Sequence, residues 1–293
     1  MPLRVVVTGA GGFAGKFIAH HLAGRGFAVT AVARNLPESL LPDAGGPVWR
    51  RADLRAPDAL PERFDALIHC AAEIPARCQD PDELYRRNMD MARNVFGRAQ
   101  DAGARSIVFL SSMSVYGTIS TPVVTEDTAP QDPDPYGRAK GDAEQLLEAH
   151  VKAGLPSGLS IRLPGTVGRG SHNNFLSNAL RQVLSGETVA ANNPEAPFNN
   201  IVYVGDLAAF LGSWIEAPRD GYAVTNLAAA DPMTIRDVVS LLFSCAGRPP
   251  KVRFGESGKK PFLISLDRAM SLGYRPASVR DSLANFVRDS LGG

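Results

Sequence analysis

Cysteine is scarce. Cys70, Cys78 and Cys245 are the only three in 293 residues, an odd number with no CxxC pair, which argues against a disulfide framework and against a thiolate zinc site. Charge of one sign is missing too: 31 Lys and Arg face 30 Asp and Glu, for a formal net charge of +1, so nothing in the balance attracts a polyanion such as nucleic acid. No apolar run reaches the roughly 18 residues of a membrane-crossing helix, and no separate signal segment is expected before Arg4, so the chain reads as cytoplasmic with no membrane partner. Internal repeats, heptads and low-complexity tracts are absent, which favours one enzyme-like body over a string of interaction modules. No His, Asp and Glu cluster has metal-ligand spacing, and no metal is expected.

What is present is a folded, turn-rich chain. Its length suggests about two domains at about 150 residues each, 44% of its residues are hydrophobic, and it carries 28 Gly and 22 Pro. Arg4 to Thr8 is a β-branched run, GAGG follows, and then Phe13, Phe17, Ile18 and Leu22 recur at three- and four-residue spacing. That is strand, glycine turn, helix. FAVTAVAR reads as a second strand, Val48 to Asp53 as a short third, DALIHCAA as a fourth and SIVFLSSMSVYG as a fifth, with a long helix from Glu83 stopped by Gly103. Pro122, Pro130 and Pro133 make 117–134 a loop, Pro135 opens the next helix, GLSIRLPGTVG reads as a sixth strand, and IVYVGDLAAFLGSWIEA as a strand entering a helix. Apolar strands alternating with helices imply an α/β fold: a Rossmann-type doubly wound parallel sheet with a smaller, partly interleaved substrate-binding lobe. Residues 1–165 are expected to be mainly the dinucleotide-binding domain and 166–293 mainly the substrate lobe, with 197–220 returning to the first. The stretch from 222 onward is too irregular to extend the first sheet simply.

The turn Thr8-Gly9-Ala10-Gly11-Gly12-Phe13-Ala14-Gly15 lies between first strand and first helix. Gly9, Gly12 and Gly15 permit in turn a tight bend, close approach of a pyrophosphate, and close helix-strand packing. The helix end offers free amides to a diphosphate. An NAD site usually ends its second strand on Asp or Glu, which receives the ribose hydroxyls; this chain has Ala33-Arg34-Asn35. Arg34 suits a 2′-phosphate, which favours NADP over NAD, the alternative being an ordinary surface arginine. Asp53, followed by Leu54, suits either the adenine amine or a turn.

Tyr136 and Lys140 are four residues apart near a helix start and share a face. Tyrosine is a poor base at neutral pH because its unperturbed pKa is near 10, and an adjacent ammonium favours the phenolate. Lys140 also suits a nicotinamide ribose, and Ser112 at the end of the fifth strand suits the orientation of a reacting alcohol or carbonyl.

These motifs, with Asp53-Leu54, His69-Cys70-Ala71-Ala72, Asn88, SSMSVYG, Arg162, Val204-Gly205-Asp206-Leu207-Ala208, Asp267-Arg268-Ala269 and Leu272-Gly273-Tyr274-Arg275-Pro276, resemble the extended short-chain dehydrogenase/reductase family, which includes NAD-dependent epimerases and dehydratases. The resemblance implies Ser112, Tyr136 and Lys140 as the reacting set. It places Gly9, Gly12, Phe13 and Gly15 at the phosphate turn, Asp53 and Leu54 at adenine, and Ala71, Ala72 and Pro164 along the cofactor. Asn88 is given the role of positioning the active-site helix and strand. It also implies pairing into a homodimer.

Departures from the family pattern narrow the reaction. Dehydratases of this family carry Asp-Glu where Met113 and Ser114 stand, so dehydration is disfavoured. Gly165 replaces an Asn frequent in epimerases, Asn199-Asn200 occupies the place of an Arg frequent in nucleotide-sugar enzymes, and Gly258-Lys259-Lys260-Pro261 only loosely matches a later diphosphate anchor. Either Arg181, Lys259 or Lys260 makes altered diphosphate contacts, or the substrate is smaller. The leading expectation is NADP-dependent reduction of a keto group on a sugar or nucleotide-sugar. The alternatives are nucleotide-sugar epimerisation with tightly bound NAD(P), dehydrogenation of a smaller sugar or hydroxy acid, and nonenzymatic NAD(P) binding. His69 is expected to shape the cofactor loop, and His172 and Asn173 to occupy either an exposed loop or the substrate pocket.

Overall fold

A computed structural model describes residues 1–36, 45–258 and 260–292. The first β-branched run forms β1 (Arg4–Thr8), in which all but the first residue are buried. A strand flanked by strands and covered above and below by helices has no solvent face, which is why the run does not alternate. β2 (Ala28–Ala33), β3 (Val48–Arg51), β4 (Ala66–His69) and β5 (Ser106–Ser112) pair in parallel in the order β3-β2-β1-β4-β5. Strands Ser157–Leu163 and Gly221–Asn226 continue the sheet beyond β5 to seven strands, a Rossmann-type arrangement. The chain winds outward from β1 through β3 and then returns to place β4 on the other side of β1. The turns leaving β1 and β4 therefore part at a topological switch point, where such sheets open a crevice.

Helix α1 (Phe13–Gly24) starts at that crevice, α2 (Pro81–Asp101) supplies Arg87 and Met91 to its wall, and α3 (Pro135–Lys152) packs on α2 and β5. Asp80 caps α2 by accepting from the Asp82 and Glu83 amides, and Pro81 sits in its first turn, where the missing N–H costs nothing. Phe64, Leu67, Phe96, Ile107, Phe109 and Leu147 form part of one core, each such fully buried side chain contributing about 1.5–3 kcal/mol.

By contacts, 1–118, 129–162 and 208–225 make one compact unit and 119–128, 163–207 and 226–293 a second. In the second unit, helices Phe175–Ser185, Ile235–Cys245 and Val279–Leu291 share a core that includes Leu180, Val183, Leu242, Leu283 and Phe286.

Four segments differ from their sequence patterns. The fifth strand stops at Ser112, whose hydroxyl accepts from the Ser114 amide and starts a 3-10 turn over Met113–Tyr116. The sixth divides at Pro164, which has no N–H for a ladder; Gly165–Val167 pairs instead with Ile201–Tyr203. Within the loop 117–134, Val123–Val124 pairs with Leu263–Ile264. Gly221–Asn226, which the sequence reading leaves outside the sheet, is its edge strand. Among the described residues no helix is long and apolar enough to cross a membrane, and no group of three His, Cys, Asp or Glu could hold a metal ion.

Candidate active site

Gly9 takes φ +69°, in the left-handed region, and a Cβ there would meet the Ala71 nitrogen at 2.6 Å. Only glycine lets the β1 turn pass this close to the loop after β4. The Gly12 amide donates back to the Gly9 carbonyl at 2.9 Å, and a Cβ on Gly15 would overlap that same carbonyl. α1 begins on Gly12 with no side-chain cap and no acidic residue in its first turn. Its leading amides and positive helix end thus face an uncharged glycine cradle, which suits a diphosphate.

A cavity of about 300 Å³ opens here, lined among others by Gly9, Gly12, Arg34, Asp53, Leu54, Ala71 and Ala72. The structure therefore gathers seven of the residues singled out by sequence along one wall-to-wall space. Gly15 is buried behind the turn and half-buried Phe13 opens α1, so neither lines it. Pro164 belongs to the second unit.

Arg34 lines the cavity and approaches the Glu73 carboxylate at 3.7 Å, which Arg87 also approaches at 3.5 Å. Glu73, Arg77 and Arg87 also line it and are not singled out by sequence; the pairs that Glu73 makes with Arg34 and Arg87 join separate elements. Asp53 is held by Arg55: the guanidinium donates to both carboxylate oxygens and the Arg55 amide adds a third bond, pulling the Asp53 pKa down to about 2. The turn reading of Asp53 thus has its partners in the structure, while the side chain still faces the cavity.

Asn88 on α2 clamps the loop after β4. Its amide nitrogen donates to the Glu73 carbonyl at 2.9 Å and its oxygen accepts from the Glu73 amide at 3.0 Å. His69 is buried, sits 2.7 Å from the Thr8 hydroxyl and stacks on Phe109. Burial first and Lys140 second push its pKa down to about 3, which leaves the ring neutral.

Asp134 caps α3 by accepting from the Gly137 amide at 2.7 Å, and the helix presents Tyr136 and Lys140 one turn apart. Lys140 is buried; its Nζ donates to the Leu110 carbonyl at 2.7 Å and lies 4.5 Å from the Phe109 ring centroid and 5.7 Å from that of Tyr136. Burial lowers its pKa to about 8. The sequence reading expects this ammonium to draw the Tyr136 phenol down. In the chain alone, burial and Asp134 instead push Tyr136 up to about 12, so the phenol is held protonated. The Ser112 hydroxyl donates to the Ser114 hydroxyl at 3.1 Å. A Cβ on Gly137 would overlap the Ser114 carbonyl, so glycine at 137 lets the start of α3 dock on the 3-10 turn after Ser112. Sequence spacing carries no sign of that contact.

In the second unit Asn199 is buried and its side-chain amide is paired with the Ile264 backbone: the nitrogen donates to the Ile264 carbonyl at 2.9 Å and the oxygen accepts from the Ile264 amide at 3.0 Å. Arg181, Lys260, His172 and Asn173 are exposed, and Lys259 lies outside the described residues.

Comparison with known proteins follows the same lines. The model of the NAD dependent epimerase/dehydratase family matches residues 5–228. The chain is 33% identical to a D-erythronate dehydrogenase of Cupriavidus necator, over 67% of this chain and 66% of that enzyme. It is 23% identical to a UDP-glucose 4-epimerase of Streptomyces lividans, over 94% and 92% of the two chains. The solved structure of MoeE5 in complex with UDP-glucose and NAD superposes with a TM-score of 0.81 at 28% identity, over 97% of each chain. The chain thus belongs to the NAD-dependent epimerase/dehydratase family and is an NAD(P)-dependent enzyme built on a Rossmann-type sheet.

Proposed function

We propose that this enzyme is an NAD(P)-linked dehydrogenase that oxidises one secondary hydroxyl of a small sugar acid, or reduces the corresponding ketone in reverse. The observation that carries the substrate class is Asn199. At the position where a nucleotide-sugar enzyme of the resembled family has an arginine, this chain has a buried neutral amide bonded to the Ile264 backbone, which offers no positive charge to a diphosphate. The 33% identity to a D-erythronate dehydrogenase supports the same class.

The cofactor is held at Gly9, Gly12 and the first amides of α1, with Ala71 and Ala72 beside it and Arg34 at the adenosine ribose. The absence of a carboxylate at the end of β2 supports NADP. When bound, NAD(P) accepts or supplies the hydride at the reacting carbon. Ser112 orients the substrate oxygen by hydrogen bonding, and Tyr136 takes or gives the proton on that oxygen. Lys140, 5.7 Å from the Tyr136 ring centroid, places positive charge beside the phenol, and that charge works against the burial that holds the phenol protonated.

A second reading, epimerisation of a nucleotide-sugar, is favoured by the near full-length match to a UDP-glucose 4-epimerase. One assay separates the two: purified protein is incubated with NADP+ or NAD+ and either D-erythronate and related hydroxy acids or UDP-glucose, following absorbance and product stereochemistry. Stoichiometric formation of reduced cofactor with the hydroxy acids, and inertness of UDP-glucose, is expected. Interconversion of UDP-glucose without net cofactor reduction overturns the dehydrogenase reading.

A further inference from the structure

Beneath the reacting groups lies a buried charge network to which neither the fold nor the proton transfer assigns a task. Glu144 follows Lys140 by one helical turn and Tyr136 by two, so all three share a face of α3. Its carboxylate accepts from the Ser111 hydroxyl at 2.5 Å and from Arg162, whose Nε and terminal nitrogen reach it at 3.1 and 2.7 Å. Another Arg162 nitrogen donates to the Tyr116 hydroxyl at 2.8 Å. The side chains of Glu144 and Arg162 are only 6% and 13% exposed.

Ser111 immediately precedes Ser112, and Tyr116 closes the 3-10 turn that Ser112 begins. Both ends of the segment carrying the reacting serine are therefore tied to one ion pair, and that pair is anchored on the helix carrying the reacting phenol and ammonium. A buried ion pair adds little net stability over apolar side chains of the same volume. What it adds is direction, since each bond fixes an angle as well as a distance.

We infer that Glu144 and Arg162 are positioning residues, whose ion pair sets the spacing between the Ser112 segment and the Tyr136–Lys140 face of α3. The inference rests on the reading of those three as the reacting groups.

Removing one member of the pair leaves a lone buried charge and risks the fold, so the test variant is Ser111→Ala combined with Tyr116→Phe. It removes both hydrogen bonds to the serine segment, keeps an aromatic ring under the Arg162 guanidinium and leaves the ion pair whole. Three readouts are taken: kcat and KM on the substrate found in the panel above, NADPH affinity by fluorescence without substrate, and the Tyr136 resonance in protein labelled with 13C at the tyrosine Cζ. The resonance is assigned by its loss in Tyr136→Phe. The expected result is kcat lowered about tenfold or more with KM and NADPH affinity within about twofold, and a displaced Tyr136 resonance. A folded variant with wild-type kcat or, where no panel substrate turns over, an unmoved resonance overturns the inference. So does a loss of NADPH affinity that matches the loss of kcat, because the network is then general structure. Tyr136→Phe serves as the control: if it keeps the wild-type rate, the reading of the reacting groups fails; if it is inactive while the double variant is normal, only the positioning role fails.

Discussion

Lys140 carries opposite demands on one side chain. Its ammonium is buried under α3, and its pKa falls to about 8, below the ordinary lysine value of about 10.4. The folded state therefore gives up that proton more readily than the unfolded chain. The cost of burying the charge is present in full below pH 8 and disappears as pH rises from 8 toward 10.4. Lys140→Met is expected to raise the melting temperature below pH 8, with the gain fading at higher pH, although the lost bond to Leu110 offsets part of it. The underlying charge term is on the order of 3 kcal/mol. The same variant is expected to lower kcat by roughly 10²–10⁴-fold, the usual worth of acid-base assistance. Melting curves at pH 7 and 10 beside steady-state rates check both halves; a variant less stable at pH 7 than at pH 10, relative to wild type, contradicts the burial argument. Tyr136 and Lys140 were legible in sequence because one helix carries both, so spacing alone places them together. Glu73 and Glu144 were not. Their partners sit on other elements, Ser111 being 33 residues from Glu144, and no periodicity links such positions.

At the scale of elements, the docking of α3 on the 3-10 turn decides where the phenol stands. Gly137→Ala puts a methyl group into the Ser114 carbonyl, and because that neighbour is backbone, either the helix start or the turn must move. A loss of about 1–3 kcal/mol is expected, as for other overpacked sites, together with a fall in kcat larger than any change in NADPH affinity, since the glycine cradle at Gly9 and Gly12 lies on other elements. Chemical denaturation, paired with rates and cofactor titration, measures both; wild-type kcat in a folded Gly137→Ala protein removes the docking argument. The strands and helices that build the cradle follow from local pattern. β1 and β4 are short apolar runs, and α2 shows its Gly103 stop. What local pattern could not show is where pairing changes hands. The run after β5 keeps its apolar residues past Ser112, but the Ser112 hydroxyl turns the backbone into a 3-10 turn. The run around Pro164 looks continuous, yet its two halves join different ladders. Gly221–Asn226 becomes the sheet edge only by lying beside Ser157–Leu163, about 60 residues earlier. The turn at Ser112 rests on a bond to the amide two residues on, whereas the other two depend on partners far along the chain.

For the whole molecule, near-balanced charge means that net repulsion contributes little near neutrality, so the acid dependence of stability falls to a few groups whose environment differs between folded and unfolded chain. His69 is the strongest of them. It is fully buried between β strands, packed on Phe96 and Phe109 and bonded to Thr8, and its folded pKa is about 3 against about 6.5 when unfolded. Because the folded value is depressed, the unfolded chain binds the extra proton between those two values. Stability is therefore complete above pH 6.5 and drains away as pH falls toward 3, by several kcal/mol in all. Asp53 acts in the same sense at lower pH: its stabilisation by Arg55 is present above the ordinary carboxylate value and is lost as pH falls through about 2, with a smaller effect because both side chains are more than 40% exposed. Urea unfolding of the wild type between pH 7 and 4 is expected to show a midpoint that declines steadily from pH 6.5 downward. His69→Gln, which keeps a hydrogen-bonding side chain but cannot take up the proton, is expected to start lower at pH 7 and to decline far less. Parallel curves for the two proteins across that range mean that the imidazole is charged or hydrated in the native state, and the buried, neutral His69 described above is then wrong.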